Sequence, residues 1–205
     1  MMGNPSKTSN VCRNIRHAVL RGHFAPGQRL EPATLADEFA TSLMPIRFAL
    51  HGLASERLIN HHERGYYMPL PTEAALRGLY DWMEERLLAC LDNGAAPDTK
   101  PYTRPAPNDD TAVATWQLFD TIARKTRYPE RRHAAQHAND RLSPIRVAKR
   151  SLFPDAHAEL DELISAWEGA KIAPLKRYLR TYHARRRPRV PAIVELLNEA
   201  RGMAH

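Results

Sequence analysis

The side chains in this sequence that are best placed to do chemistry lie in a short segment, Leu35 to Leu58, with the sequence LADEFATSLMPIRFALHGLASERL. It contains Arg47, and Ser42 precedes that arginine by five residues. A guanidinium is a planar fork of donors that can bind a guanine edge bidentately, and a serine hydroxyl can cap a helix or contact a phosphate. The segment therefore indicates binding of a polyanion.

The elements that must position these side chains are two helices joined by a tight turn. Apolar residues at Leu35, Ala36 and Phe39 share one face of the first helix, and the run breaks at residues 40–41. The second helix starts after Ser42, has Pro45 in its first turn, and buries apolar positions at helical spacing, namely Ile46, Ala49, Leu50 and Leu53. This leaves five side chains facing outward: Leu43, Met44, Arg47, Phe48 and His51. Such a helix pair is how many proteins enter the major groove of DNA.

Residues on both sides of this pair complete a small domain over residues 10–70, after a flexible N-terminus at residues 1–9. Residues 11–21 predict a first helix ending at Gly22, and residues 28–30 a short extended piece. Residues 58–61 and 66–69 predict two strands joined by residues 62–65, which form a hairpin wing. Pro69 and Pro71 mark the boundary, since two prolines this close resist both helix and sheet.

The segment from Ile15 to Pro69 resembles the DNA-binding domain of the GntR family of bacterial transcription regulators. The resemblance keeps order and spacing over about a quarter of the chain, and the matching residues are Ile15, Arg16, Leu20, Gly22, Pro26, Gly27, Arg29, Leu30, Leu35, Ala36, Ser42, Pro45, Ile46, Arg47, Ala49, Leu50, Leu53, Leu58, Arg64 and Gly65. It implies a winged helix that binds a double-stranded DNA operator.

The resemblance also implies DNA contacts at named positions. Arg47 is the expected base-reading residue, and the complete predicted set is Thr34, Ser42, Leu43, Met44, Arg47, His51, Arg64 and Gly65. Many relatives have a second base-reading arginine directly after the serine; here Leu43 and Met44 offer apolar contact with a thymine methyl instead. Two interpretations stay open for Ser42, a helix cap or a phosphate contact, and for Arg16 and Arg29, phosphate contacts or surface ion pairs.

Composition excludes several classes of protein. The chain has 205 residues, 43% of them apolar, which suffices for a packed core, and its net charge of +7 favours an acidic partner. No apolar run approaches the roughly 18–20 residues needed to span a bilayer, and the first ten residues lack a signal-peptide core. With only two cysteines, Cys12 and Cys90, we expect buried free thiols, no disulfide and a cytoplasmic location at the bacterial nucleoid.

Residues 71–205 predict an all-α bundle, interrupted by a proline-rich loop at residues 93–110. The predicted helices begin at Thr72 and then cover residues 112–126, 130–141, 145–152, 155–169, 173–186 and 191–200. This region loosely resembles the helical effector-binding and dimerisation domain of the FadR-like branch of the GntR family. The anchors are Leu79, Tyr80, Leu118, Phe119 and the stretch from Leu163 to Leu179.

Many FadR-like relatives bind a metal through an aspartate and three histidines, with an organic acid on the open positions. The resemblance places Trp116, Asp120, Leu160 and Tyr182 at those four positions, and Met83 near an arginine of the first effector-domain helix. One carboxylate cannot hold a transition metal, so we expect no metal and no cofactor. An alignment shifted by a residue or a turn would bring His157, Asp161 and His183 near instead.

A small organic effector is the remaining expectation for this domain. The candidate pocket residues are Met83, Trp116, Phe119, Asp120, Leu160, Trp167, Tyr178 and Tyr182, whose aromatic members equally suit a plain bundle core. Basic clusters occur in residues 124–150 and 176–189. They have three interpretations: a solvated helical face, a surface for an acidic partner, or a site for an anionic effector.

The sequence thus predicts a mainly α, two-domain transcriptional regulator, a repressor that binds DNA as a homodimer and responds to a ligand in its helical domain. The alternative is a winged-helix module that no longer senses a small molecule and is controlled by a protein partner. An enzyme is not expected, because the ten histidines are scattered and show no nucleophile–base or metal-ligand spacing.

Overall fold

The chain folds into two compact units that are mainly helical. The computed structural model describes residues 7–92, 104 and 110–203 and is 74% helical. The first unit runs to Leu70 and includes the residues from Leu197 onward, and the second runs from Pro71 to Leu196. The predicted fold class, a winged helix followed by a helical domain, is confirmed.

Three helices build the first unit around one apolar core. They are α1 (Lys7–Leu20), α2 (Pro32–Glu38) and α3 (Leu43–Ser55). The predicted buried face of α3 packs into this core, together with Ile15 and Val19 of α1. α1 begins at Lys7 rather than at the predicted Val11, because the polar residues between them do not break a helix although they carry no apolar periodicity.

A three-stranded antiparallel sheet completes the first unit. Its strands are β1 (Arg29–Leu30), β2 (Asn60–His62) and β3 (Gly65–Tyr67), in the order β1-β3-β2. The predicted hairpin wing is confirmed, and the predicted extended piece joins it as a third strand by pairing Arg29 with Tyr67. The predicted strand that began at Leu58 starts later, because Leu58 and Ile59 are buried in the core and precede the ladder.

The ends of α2 and α3 are set by two residues with left-handed backbone, Ala40 (φ +47°) and Arg57 (φ +54°). The amide after each one donates back to a carbonyl of the preceding helix: Thr41 N to Ala36 O at 2.9 Å, and Leu58 N to Leu53 O at 2.9 Å. These are Schellman-type helix ends. A side chain in this conformation is strained by roughly 1 kcal/mol, so tertiary packing holds the sharp turn between α2 and α3.

Six helices were found in the described part of the second unit. They are α4 (Glu73–Leu91), α5 (Thr111–Arg124), α6 (Pro129–Ala148), α7 (Ala156–Glu168), α8 (Ile172–Arg186) and α9 (Val190–Met203), whose last residues belong to the first unit. Side-chain caps fix two starts: Thr72 Oγ1 accepts from Ala75 N at 3.2 Å, and Asp110 Oδ1 accepts from Ala112 N at 2.9 Å. None of the described helices is long and apolar enough to cross a membrane.

One continuous helix, α6, replaces the two helices predicted over residues 130–141 and 145–152. Pro144 lies inside it, and a short 3-10 turn, Arg150–Leu152, follows. An interior proline costs about 3 kcal/mol, but Leu142 and Ile145 on either side are buried, and their packing offsets that penalty. The predicted proline-rich loop at residues 93–110 lies outside the described residues except for Arg104 and Asp110.

The two cysteines differ in their surroundings. Cys90 is buried in α4, where burial raises the pKa of its thiol to about 11, and it is a free thiol as predicted. Cys12 is also free but only half-buried, because its position on α1 lies beside the core face rather than on it.

Candidate nucleic-acid interface and helical-domain pocket

The outer face of α3 carries both apolar and cationic side chains. Three large apolar residues are exposed there, Leu43 by 42%, Met44 by 76% and Phe48 by 66%. Arg47 is exposed between them and forms no hydrogen bond or ion pair with any described residue. The unused donors and the neighbouring apolar groups are the two kinds of contact that read base edges in a major groove.

Three polar positions border this face. Ser42 occupies the N-cap of α3 with extended backbone (φ −83°, ψ 163°), but its hydroxyl makes no capping hydrogen bond. Of its two predicted roles, the geometry therefore leaves the hydroxyl free for a phosphate. Thr34 is exposed in the first turn of α2, and His51 is exposed on α3, one turn beyond Arg47.

The wing presents Arg64 at its tip. Arg64 is exposed, and its carbonyl accepts a hydrogen bond from the Tyr67 hydroxyl at 3.3 Å. Gly65 has φ +121°, a conformation in which a side chain would be strained. The rings of His61 and Tyr66 stack across the two strands at 4.5 Å between centroids. The wing is thus a shaped hairpin that carries a cation at its turn.

The other two candidate phosphate contacts form ion pairs. Arg16 pairs with Glu56, and the Nε atom of Arg29 lies 2.5 Å from a carboxylate oxygen of Glu31. The surface ion-pair interpretation therefore describes both arginines.

The eight candidate effector residues do not form one site in the structure. Leu160 and Tyr182 line a cavity; Phe119 is fully buried with its ring 5.1 Å from that of Tyr182, and Met83 is fully buried in α4. The four others make separate contacts. Trp116 donates from Nε1 to Asp140 at 2.7 Å, and Asp120 accepts from Gln136 at 2.7 Å and from Arg124 at 2.8 Å. Trp167 and Tyr178 are half-buried and lie beside Lys125 and Arg177, respectively.

The cavity is surrounded by buried cations that sequence reasoning placed only in general basic clusters. Arg146, Lys149 and Arg186 line it and are only 3–4% exposed. Its volume is about 30 Å³, and we call it the basic pocket. Its lining residues are Thr111, Ala112, Thr115, Arg146, Lys149, Arg150, Phe153, Ala156, Glu159, Leu160, Tyr182 and Arg186.

One of these cations has a carboxylate partner. Arg186 donates to both carboxylate oxygens of Glu159, from Nη1 at 3.0 Å and from Nη2 at 2.6 Å, and also to the carbonyl of Tyr182 at 2.7 Å. Its guanidinium carbon lies 3.2 Å from the centre of the Tyr182 ring. Glu159 also accepts from Arg185 at 3.2 Å, so the acidic residue among the described residues of the lining already pairs with two arginines.

The other two buried cations form no ion pair with a described residue. Arg146 donates from Nε to the Tyr182 hydroxyl at 3.2 Å and from Nη1 to the Asn139 carbonyl at 3.2 Å, while its Nη2 is buried without a partner. The ammonium of Lys149 lies over the rings of Phe153 (4.2 Å) and Tyr80 (5.6 Å). Burial, and next the charge of Arg186, hold the pKa of Lys149 well below its usual range.

A buried histidine lies close to this cluster. His183 is fully buried, with its Nδ1 hydrogen-bonded to the Leu179 carbonyl at 2.7 Å and its Nε2 unpartnered. Burial lowers the pKa of His183 to about 3, and the charges of Arg186 and Arg146 act in the same direction. The imidazole is therefore neutral at physiological pH.

The residues present do not fit the metal that the FadR-like resemblance implies. Within residues 7–92 and 110–203, no group of three or more His, Cys, Asp or Glu side chains is placed to hold an ion. His183 is buried among cations, whereas His157 and Asp161 are exposed. The carboxylate of Asp120 is already hydrogen-bonded. Positive surroundings repel a divalent cation, so this region suits an anion instead.

A sequence signal for the basic pocket does exist. Arg146 and Lys149 are three residues apart and follow Leu142 and Ile145 at helical spacing, so they extend a buried stripe rather than a solvated face. The break predicted at Pro144 concealed this continuity.

Comparisons with known proteins agree with the geometry of the first unit. Residues 7–67 match the family model described as bacterial regulatory proteins, gntR family. A curated relative, the HTH-type transcriptional repressor GlaR of Escherichia coli (strain K12), is 30% identical over 70 residues, which are 34% of this chain and 32% of that protein. The match thus spans about a third of the length of that relative, and the first unit has a GntR winged helix.

Solved structures match nearly the whole chain at low identity. The crystal structure of a transcriptional regulator GntR from Rhodococcus sp. RHA1 superposes with a TM-score of 0.69 at 21% identity, covering 91% of this chain and 98% of that one. E. coli McbR/YncC superposes with a TM-score of 0.62 at 15% identity, covering 90% and 97%. At these identities the likeness is one of fold.

Proposed function

We propose that this chain is a sequence-specific, DNA-binding transcriptional regulator of the GntR family that acts as a repressor. The observation that carries the proposal is α3: a buried apolar face anchors it, and its outer face presents Arg47, which pairs with no described residue, among exposed apolar side chains. The gntR family match over residues 7–67 supports this assignment, and regulators of this family are not an enzyme class.

In the proposed complex, α3 lies in the major groove of a double-stranded operator. Arg47 binds a guanine edge, and Leu43 and Met44 contact thymine methyl groups. The remaining contacts go to phosphates or to the groove beside the wing, and their residues are Thr34, Ser42, His51, Arg64 and Gly65. An operator read in this way has few guanine contacts in each half-site.

We propose residues 10–70 as the DNA-binding domain and residues 71–205 as the effector and dimerisation domain, within a homodimer. One helix reads too few base pairs for specificity, and two-fold symmetry doubles them. Occlusion of a promoter needs only binding, which favours repression, and the match to a repressor over the DNA-binding domain agrees with this. Because the proposed ligand is chromosomal DNA, we propose that the protein lies at the bacterial nucleoid.

We further propose that a ligand in the helical domain modulates DNA binding, by shifting the population between two dimer geometries. The basic pocket supports this proposal, because its buried cations lie around a cavity. The second candidate is a DNA-binding module controlled by an acidic protein partner, which the exposed Arg177 and Arg180 of α8 would favour. A small molecule that reproducibly raises the melting temperature of the protein would support ligand sensing rather than control by a protein partner.

Replacing Arg47 by alanine tests the DNA-binding proposal. An operator is first selected in vitro from random duplexes with the wild-type protein, and its affinity is then measured by fluorescence anisotropy at fixed salt. We expect Arg47→Ala to weaken operator binding by roughly 5- to 150-fold, which corresponds to about 1–3 kcal/mol. Binding to a scrambled duplex should change far less.

Arg180→Ala is the matched control, because it removes the same charge from an exposed site on α8. It should leave discrimination between operator and scrambled duplex unchanged. If Arg47→Ala still discriminates fully between operator and scrambled duplex, or if both variants lose operator affinity equally, then α3 does not read the operator.

A further inference from the structure

We propose that the basic pocket binds a small organic anion through its carboxylate group, with Arg146 and Lys149 as the residues that neutralise it. The inference rests on the proposed function only in treating this anion as the effector. In this chain, a guanidinium and an ammonium would provide the positive charge that the FadR-like resemblance assigns to a metal ion.

The lining of the basic pocket has more basic than acidic side chains. Among the described residues, its lining contains four basic side chains, Arg146, Lys149, Arg150 and Arg186, and one acidic side chain, Glu159. Arg186 pairs with Glu159, and Arg150 pairs with Asp110. Arg146 and Lys149 form no ion pair with any described residue. Buried charges are costly unless paired, so a bound anion would supply the missing partner.

The basic pocket also contains hydrogen-bond donors that are available to a ligand. Arg146 lines the cavity, and its Nη2 has no hydrogen-bond partner although it is buried. The Tyr182 hydroxyl accepts from Arg146 Nε, so its own proton is free to be donated. The ammonium of Lys149 lies over the rings of Phe153 and Tyr80 and makes no hydrogen bond to a described residue. A carboxylate can accept from all three groups, because its two oxygens offer about four lone-pair sites.

The size and walls of the cavity limit the ligand. One water molecule needs roughly 10–15 Å³ of such space, so a cavity of about 30 Å³ holds two or three groups of that size. This is the size of a carboxylate group and the carbon atom attached to it. Ala112, Phe153 and Leu160 contribute apolar surface, which suits a short aliphatic tail.

The test uses the full-length protein in a dilute zwitterionic buffer and follows thermal unfolding. Sodium acetate and sodium propionate are the probes, acetamide and propionamide are their neutral analogues, and sodium chloride and sodium phosphate are the inorganic references. We expect the carboxylates to raise the melting temperature in a saturable way that exceeds both inorganic salts, and the amides to have no effect. Equal responses to carboxylate and amide, or a larger response to phosphate, would overturn the assignment.

Lys149→Met separates a binding role from a packing role. Methionine keeps the length of the side chain and removes its buried amine, so the ligand-free variant should melt no lower than the wild type while the response to propionate is lost. Arg146→Lys should weaken that response, and Arg180→Met, at an exposed site, should leave it intact. If Lys149→Met melts lower and still responds, the lysine only packs and the proposal falls.

Operator affinity with and without propionate distinguishes the two proposals. A coupling of about 5- to 150-fold is the usual range for an effector. If propionate binds but leaves operator affinity unchanged, the anion site stands and ligand control of DNA binding fails. If no carboxylate binds while Arg47-dependent operator binding persists, the anion site fails and the DNA-binding function stands.

Discussion

Mild acid should destabilise this protein through His183. The side chain is fully buried, and its folded-state pKa of about 3 lies far below the value of about 6.5 in an unfolded chain. The folded state therefore holds the imidazole neutral, while the unfolded state takes up a proton. The contribution of His183 to stability is fully present above pH 6.5 and is lost progressively as the pH falls towards 3.

The size of this effect follows from the difference between the two pKa values. Each pKa unit corresponds to about 1.36 kcal/mol, and pH 5 lies about 1.5 units below the pKa of the imidazole in the unfolded chain. The free energy of unfolding should therefore fall by about 2 kcal/mol between pH 7 and pH 5 because of this residue alone. The carboxyl of Asp155 titrates below this window, because the hydrogen bond from Arg185 holds its pKa below the ordinary value.

Urea unfolding at pH 7 and pH 5 measures the effect in the wild type and in His183→Gln. We expect the variant to lose most of the pH dependence, whatever its stability at pH 7. His157→Gln is the matched control, because it removes an imidazole from an exposed site. An equal pH dependence in the wild type and His183→Gln would refute the reasoning.

Three further substitutions test other features. Glu159→Gln breaks the buried pair with Arg186 and should lower the free energy of unfolding by about 3 kcal/mol, whereas Glu162→Gln on the exposed face of α7 should change it little, as urea titrations can show. Ala40→Gly relieves a left-handed backbone and should raise thermal stability by about 1 kcal/mol, with operator binding unchanged. Phe48→Ala should weaken operator binding about tenfold and leave the salt dependence of binding as it is, because it removes an apolar contact and no charge.

The helix pair of the first unit could be predicted from sequence because its determinants are local. Ile46, Leu50 and Leu53 recur at helical spacing, and this pattern alone places Arg47 on the outer face. The role of Ser42 could not be predicted in the same way. Whether its hydroxyl caps the helix depends on a side-chain rotamer, which residue type does not determine.

The second unit was harder to predict because its key features oppose single-residue preferences. Pro144 predicts a break, yet tertiary packing keeps α6 continuous through it. Arg146 and Lys149 then continue the buried face of that helix, although charged residues are rarely buried. Neither position had a carboxylate nearby in sequence to suggest pairing, and the pairing of Arg186 with Glu159 joins two separate helices.

The exposed apolar side chains on α3 have a thermodynamic consequence for the proposed regulator. Met44 and Phe48 stay in contact with water until a groove covers them. Their dehydration at a cognate site should give a negative change in heat capacity on binding, a signature that purely ionic association with random duplex lacks. Calorimetry at several temperatures would then separate the reading of an operator from attraction to the DNA backbone, even where both affinities look alike.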